Sequence, residues 1–156
     1  MIMMHTWFEV KIRYEKVMGN GMNKKVTEPY LFDSLSFTGS EGRCIEEMTP
    51  FIGDEFTVYD IKRANYSEIF FSDEESADRY FKCKLYFITL DEKTGAGKKT
   101  STNILVQAAD LRDAVKKLDE GMKGTMADYV IASVAETAIM DVYPYEAKDK
   151  SEFPNA

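Results

Sequence analysis

Apolar and polar residues alternate with period two from Thr6 to Val17. Phe8, Val10, Ile12 and Tyr14 fall on one side, and Trp7, Glu9, Lys11 and Arg13 on the other. Such alternation predicts a half-buried strand. Met18-Gly19-Asn20-Gly21 reads as a turn, since Gly and Asn tolerate positive φ. Lys24–Leu35 resumes strand character, with Pro29 expected at an edge or a bulge because it lacks a ladder donor. The period then changes. Cys44, Ile45, Met48 and Ile52 form a stripe at helical spacing. Ser40 is the candidate N-cap, with Thr38 in competition through a Thr38-x-x-Glu41 capping box. Pro50 is expected to end or distort the last turn, and Gly53 to stop the helix. Phe56–Phe71 reads as one long strand, bulged near Ala64–Tyr66.

The same order then recurs. Tyr80–Leu90 is the clearest alternation in the chain, with Phe81, Cys83, Leu85 and Phe87 opposed to Tyr80, Lys82, Lys84 and Tyr86. Asp91–Gly97 is a turn and Lys98–Ala108 a strand. Asp110 caps a helix whose stripe is Leu111, Ala114, Val115, Leu118 and Met122. Met126–Tyr143 is the last long strand.

The halves superpose in pattern. Phe8, Val10, Ile12 and Tyr14 match Phe81, Cys83, Leu85 and Phe87. Ser40, Ile45, Met48 and Ile52 match Asp110, Val115, Leu118 and Met122. Tyr59, Ile61 and Ile69 match Tyr129, Ile131 and Ile139. The expected fold class is α+β. It consists of two tandem ββαβ repeats, 7–71 and 80–143, related by pseudo-two-fold symmetry, with a mainly antiparallel sheet and one helix per repeat. Residues 72–79 are a polar connector that is either solvated or a short helical turn, 1–143 form a single domain, and 144–156 form a flexible tail. One unit of this size has a marginal core by itself, so the two are expected to depend on each other.

The chain has 156 residues and a formal net charge of −7. The excess acid lies in the first repeat and the connector, and the second repeat is neutral. An acidic total opposes non-specific nucleic-acid binding by the whole surface, though not by a local basic face. Cys44 and Cys83 sit inside apolar patterns and read as buried thiols rather than a disulfide framework. No apolar run reaches the length of a membrane span, and the start of the chain does not read as a signal peptide. A cytoplasmic location is expected.

Candidate chemistry is sparse. Gly95-Ala-Gly-Lys-Lys-Thr100 lacks the first glycine of a phosphate-binding loop, having Glu92 in its place, and reads as a hairpin turn. The single histidine, His5, has no partner cluster, so neither a metal site nor a cofactor is expected. Glu46 and Glu47 point apart on a helix. No catalytic residue is named, and enzymatic activity is the less favoured expectation. What stands out is an outward strand face combining aromatics with cations in both halves. These are Trp7, Lys11 and Arg13 in the first, and Tyr80, Lys82, Lys84 and Tyr86 in the second. The leading expectation is a non-catalytic binding or adaptor protein acting through this sheet surface, with a protein partner or a second copy as in a homodimer. The first alternative is a single-stranded nucleic-acid-binding accessory protein, since such faces stack bases and hold phosphates. The second is a small-molecule enzyme with a site between the repeats.

The segments Trp7-Phe-Glu-Val-Lys-Ile-Arg-Tyr-Glu-Lys16, Lys24-Lys-Val-Thr-Glu-Pro-Tyr-Leu31, Phe87-Ile-Thr-Leu-Asp-Glu-Lys-Thr-Gly95 and Gly121-Met-Lys-Gly-Thr-Met-Ala-Asp-Tyr129 give the chain its resemblance. From Trp7 to Tyr145 it resembles an uncharacterised domain-of-unknown-function family of small proteins from Bacteroidetes and their phages. The resemblance implies a bacterial or phage setting. It implies no activity, cofactor or catalytic residue.

Overall fold

The computed structural model describes residues 6–53, 55–90, 92–125 and 128–144. His5, the first two residues of the expected strand from Met126, Asp91 in the second turn, and the expected tail beyond Pro144 lie outside them. The protein is mixed α+β, with two helices and two four-stranded sheets among the described residues. It divides into two compact units, one of Met1–Ala64 with Ile139–Ala156, the other of Asn65–Ala138.

In the first unit, β1 (Trp7–Val17) and β2 (Asn23–Asp33) form an antiparallel hairpin in which Phe8 faces Phe32 and Val10 faces Tyr30. The turn is closed by Met18 N–H donating to Met22 O at 2.8 Å, and Gly21 adopts φ 81°. α1 (Phe37–Ile52) follows, then β3 (Phe56–Ala64), which pairs antiparallel with the free side of β1. A bulge at Tyr59 shifts the register between Lys11 and Ile12. The sheet order is β3-β1-β2-β8, where β8 (Val142–Tyr143) runs parallel to β2. Phe8, Val10, Ile12, Tyr30 and Phe32 pack under Cys44 and Met48 of α1 as one buried cluster. Each such side chain taken fully out of water contributes about 1.5–3 kcal/mol.

α1 starts earlier than its sequence suggests. Ser36, not Ser40 or Thr38, is the N-cap, and its hydroxyl accepts from Gly39 N–H at 2.9 Å. Ser40 is buried inside the helix and donates to Phe37 O at 2.8 Å. Gly39 is what allows this start. A Cβ there would lie 2.7 Å from Ser34 Oγ, so a better helix former does not fit. Pro50 does not end the helix. It sits in the final turn, and Gly53 caps the end in the left-handed region with φ 76°. Pro29 lies within β2, opposite Lys11, just before the two residues that pair with β8. No strand asks for its missing N–H, while its carbonyl accepts from Met140 N–H at 2.9 Å.

In the second unit the sheet order is β4-β6-β5-β7. β4 (Glu68–Phe70) runs parallel to β6 (Gly97–Ala108), which pairs antiparallel with β5 (Arg79–Leu90). α2 (Leu111–Gly121) is capped by Asp110, whose side chain accepts from Asp113 N–H, as its sequence suggests. β7 (Tyr129–Glu136) pairs antiparallel with β5, with a bulge at Ala132 between Lys84 and Leu85. Phe81, Cys83, Leu85, Ile104 and Val106 pack against Ala114, Leu118 and Met122. Of the expected turn Asp91–Gly97, Glu92–Ala96 lie before β6 with Gly95 at φ 71°, and Gly97 is already the first residue of β6.

Both expected long strands are in fact two strands. Phe56–Phe71 divides into β3 and β4, which belong to different sheets, and the stretch up to Tyr143 divides into β7 and β8, again in different sheets. Polar contacts mark the first break. Ser67 N–H donates to Asn103 O at 2.9 Å, and Thr102 Oγ1 donates to Ser67 Oγ at 2.7 Å. At the second, Thr137 donates both its N–H and its hydroxyl to Tyr80 O, at 2.9 and 2.8 Å.

The connector is pinned rather than loosely solvated. Ser72 N–H donates to Gln107 Oε1 at 3.0 Å, Gln107 Nε2 donates to Ala77 O at 3.0 Å, and Ala77 is buried. Lys117 Nζ meets Asp113 at 2.9 Å, Glu74 at 3.0 Å and Ser72 Oγ at 3.0 Å.

Gly121 at the end of α2 seats the Phe70 ring. A Cβ there would come within 2.5–2.8 Å of three ring atoms. Alanine normally stabilises a helix by about 1 kcal/mol over glycine. Here Gly121→Ala should instead destabilise by about 2 kcal/mol, because the ring is packed against the core and must shift. Urea unfolding of the two proteins checks the sign, and a raised midpoint for the alanine form would refute the account.

Candidate functional site

Register decides which side chains share the sheet face turned away from each helix. In the first sheet this face carries Trp7, Glu9, Lys11 and Arg13, opposite Asp33, Leu31, Pro29 and Thr27. Two of its charged side chains, Glu9 and Arg13, have partners within the unit. Lys62 Nζ lies 3.7 Å from Glu9. Arg13 stacks its guanidinium 3.6 Å above the Tyr59 ring and donates through Nε to Thr27 Oγ1 at 3.2 Å. Lys11 is half-buried and stands opposite Asp60, an opposite-charge cross-strand pair.

The equivalent face of the second sheet is different in kind. Tyr80, Lys82, Lys84, Tyr86 and Ile88 of β5 stand opposite Gln107, Leu105, Asn103, Ser101 and Lys99 of β6. On the other flank, Lys82, Lys84 and Tyr86 stand opposite Ala135, Ser133 and Val130 of β7. None of these strand positions holds a carboxylate. Lys84 Nζ lies 5.6 Å and Lys99 Nζ 5.3 Å from the centre of the Tyr86 ring. Lys82, Lys84 and Lys99 are exposed, and among the described residues none of them is in an ion pair. Two ammonium groups are therefore gathered near one ring with no ion-pair partner among the described residues. Their mutual repulsion falls when an anion arrives.

Two of the seven residues expected on the aromatic and basic surface are not available for contact. Trp7 is 5% exposed and Tyr80 is 4% exposed. Trp7 stands opposite Asp33 and Tyr80 opposite Gln107, two positions along from Leu31 in the first sheet and Leu105 in the second, each fully buried. The remaining five fall on two sheets. Arg13 is engaged in the first, where Lys11 stands opposite Asp60, while Lys82, Lys84 and Tyr86 are together on the second. Lys99, Ser101, Asn103 and Ser133 join them through strand pairing. The signal for Lys99 is the alternation of β6 from Gly97, which puts it on the side opposite Lys98. Its position beside Tyr86 depends on the hairpin register.

Other hollows have a different chemistry. A groove of about 770 Å³ in the first unit is lined by Arg13 and Lys25 together with Glu15 and Glu55, so its charges balance. A smaller hollow of about 340 Å³ contains Tyr14, Glu28 and Tyr30. Both tyrosine hydroxyls donate to Glu28 Oε1, at 3.0 and 3.2 Å. Burial, and then the Glu28 carboxylate, push both phenols above their ordinary range, so they remain protonated donors at neutral pH. Neither is disposed to act as a base. Burial likewise pushes the Cys44 thiol up to about 12 and the Cys83 thiol up to about 11, which suppresses the nucleophilic thiolate. Among the described residues no group of three His, Cys, Asp or Glu side chains is placed to hold a metal ion. Nor, among them, is any helix long and apolar enough to cross a membrane.

Among the described residues, two helices and two four-stranded sheets, mostly strand, therefore define a mixed α+β protein, and the outer face of its second sheet carries three lysines that are in no ion pair. The chain belongs to the family described as Domain of unknown function (DUF4494), whose model matches residues 6–145. No curated protein and no solved structure matches it.

Proposed function

We propose that this is a non-catalytic binding protein that holds an anionic partner on the outer face of its second sheet. The observation that carries this reading is the trio Lys82, Lys84 and Lys99 around Tyr86, unpaired among the described residues of a protein whose net charge is −7. On the first sheet Lys62 is engaged by Glu9, and Arg13 by Tyr59 and Thr27, so the two faces are not equivalent. The adaptor role expected from the sequence is kept, with its surface narrowed to one sheet. A cytoplasmic bacterial or phage setting fits this reading.

Immobilised heparin is a suitable first probe. The full chain should be retained at low salt and released as salt rises. Lys82→Gln/Lys84→Gln/Lys99→Gln should pass through unretained, while Lys11→Gln/Lys62→Gln should behave like the parent. Equal retention of all three proteins would place the anion elsewhere and refute the assignment.

We also infer that the two units descend from one duplicated ββαβ unit. Three features support this. Tyr14 pairs with Phe56 as Phe87 pairs with Tyr129, so Phe56 rather than Tyr59 corresponds to Tyr129. The bulges at Tyr59 and Ala132 interrupt corresponding positions, Lys11/Ile12 and Lys84/Leu85. The last strand of each half is parallel to the second strand of the other, Phe70 beside Val106 and Tyr143 beside Phe32.

A further inference from the structure

We propose that the ligand of the Lys82–Lys84–Tyr86–Lys99 face is single-stranded nucleic acid, an assignment that rests on the anion-binding reading above.

The order of side chains along the face fits a strand of alternating phosphates and bases. Lys82, Lys84 and Tyr86 follow one another on β5, and Lys99 stands beside Ile88, one step further on. From Lys82 to the level of Lys99 the row spans about 20 Å at the rise of an extended strand. Tyr86 is thus bracketed by Lys84 before it and Lys99 after it. A base laid on its ring would have a cation near the phosphate on either side. The contacts now made over the ring by Lys84 and Lys99 are exposed cation–π contacts, each worth no more than about 1 kcal/mol. Exchange of both ammonium groups from ring to phosphate therefore costs little and removes their mutual repulsion.

Charge alone would also suit an acidic peptide. Three features favour the nucleic acid. Every cation on the face is a lysine, a point charge suited to phosphate, with no arginine fork to grip carboxylates bidentately. The aromatic ring at its centre offers a flat surface on which a base can stack and which a carboxylate does not use. Its neutral neighbours Ser101, Asn103 and Ser133 both donate and accept, which suits base edges and sugars more than a run of carboxylates. A duplex keeps its base faces stacked inside, so Tyr86 selects for an unpaired strand. The missing arginine also predicts weak discrimination among sequences.

The test uses the full chain and a fluorescein-labelled oligothymidylate, followed by anisotropy at several salt concentrations. Three phosphate contacts give a slope of log affinity against log salt of about −2. Tyr86→Ala should weaken binding about tenfold with the slope retained, as expected for a lost stacking contact. Lys82→Gln/Lys84→Gln/Lys99→Gln should bring the slope towards zero. Circular dichroism confirms that these surface variants are folded. If polyglutamate competes as well as the oligonucleotide and Tyr86→Ala changes nothing, the nucleic-acid assignment is overturned and the anion-binding face stands. If duplex of the same length binds as tightly, the single-strand preference is overturned. If neither anion binds at low salt, both readings fail together.

Discussion

A chain ending at Ala138 should be less stable than one ending at Pro144 by on the order of 5 kcal/mol, adding the burial of two aliphatic side chains to lost hydrogen bonds. The removed segment, Ile139–Pro144, is short but completes the first sheet. Ile139 is 5% exposed and Val142 is 6% exposed. Leu31 N–H donates to Asp141 O at 3.0 Å, and β8 then runs beside Leu31 and Phe32. Arg43 of α1 reaches this segment too, with Nη2 donating to Pro144 O at 3.2 Å. Without it, β2 becomes an open edge and the fully buried Leu31 and Phe32 meet water. A small domain has only about 5–15 kcal/mol in hand, so most of that margin would be gone. Chemical denaturation of the two truncated chains measures the difference. A difference below about 1 kcal/mol would mean that β8 is an ornament of the sheet rather than a part of it.

Phe32→Ala should cost about 4 kcal/mol, within the range for truncating a buried aromatic ring. Phe32 is fully buried and joins several elements. It faces Phe8 across the hairpin, stacks on the Tyr143 ring with centroids 4.8 Å apart and planes 9° from parallel, and lies under the Arg43 guanidinium at 5.7 Å. The stacking part can be isolated. A double-mutant cycle with Tyr143→Ala should return a coupling of about 1 kcal/mol. Additive losses would show that the rings merely share a neighbourhood. The two experiments address the same joint from opposite sides, the strand that arrives and the ring that receives it.

Much of the fold was legible in the sequence because it is written in short-range periods. Phe8, Val10 and Ile12, and Phe81, Cys83 and Leu85, alternate so regularly that both central strands could be drawn with their buried faces assigned. Asp110 was readable as a cap because its side chain answers a local need three residues on. The start of α1 was not, because Gly39 argues against helix in isolation. Its reason is Ser34, whose hydroxyl occupies the space a Cβ would need. The long strands were misread for a related cause. β-propensity does not say which sheet a residue joins, and the chain changes sheet at Asn65–Ser67 and at Thr137–Asp141 without a composition strong enough to announce it.

The candidate site divides in the same way. Alternation put Lys82, Lys84 and Tyr86 on one side of β5, and it put Trp7 and Tyr80 on the outer sides as well. It could not say that two of those outward positions, Trp7 and Tyr80, are buried. Nor could it say that Arg13 is spent on Tyr59 and Thr27.

By itself the sequence determined the inner faces of the two central strands, the mixed α+β class, the buried thiols and the acidic balance, because each follows from neighbours within a few residues. The helix stripes were read too wide, since Ile45 and Leu111 are exposed. Only the tertiary structure decided that four strands make each sheet, that β4 and β8 complete sheets other than those of the strands just before them, and that Lys99 joins Lys84 over Tyr86. Those are long-range pairings. They are set by which edges are free to accept a strand and by hairpin register, and a chain read in one dimension carries no local mark of either.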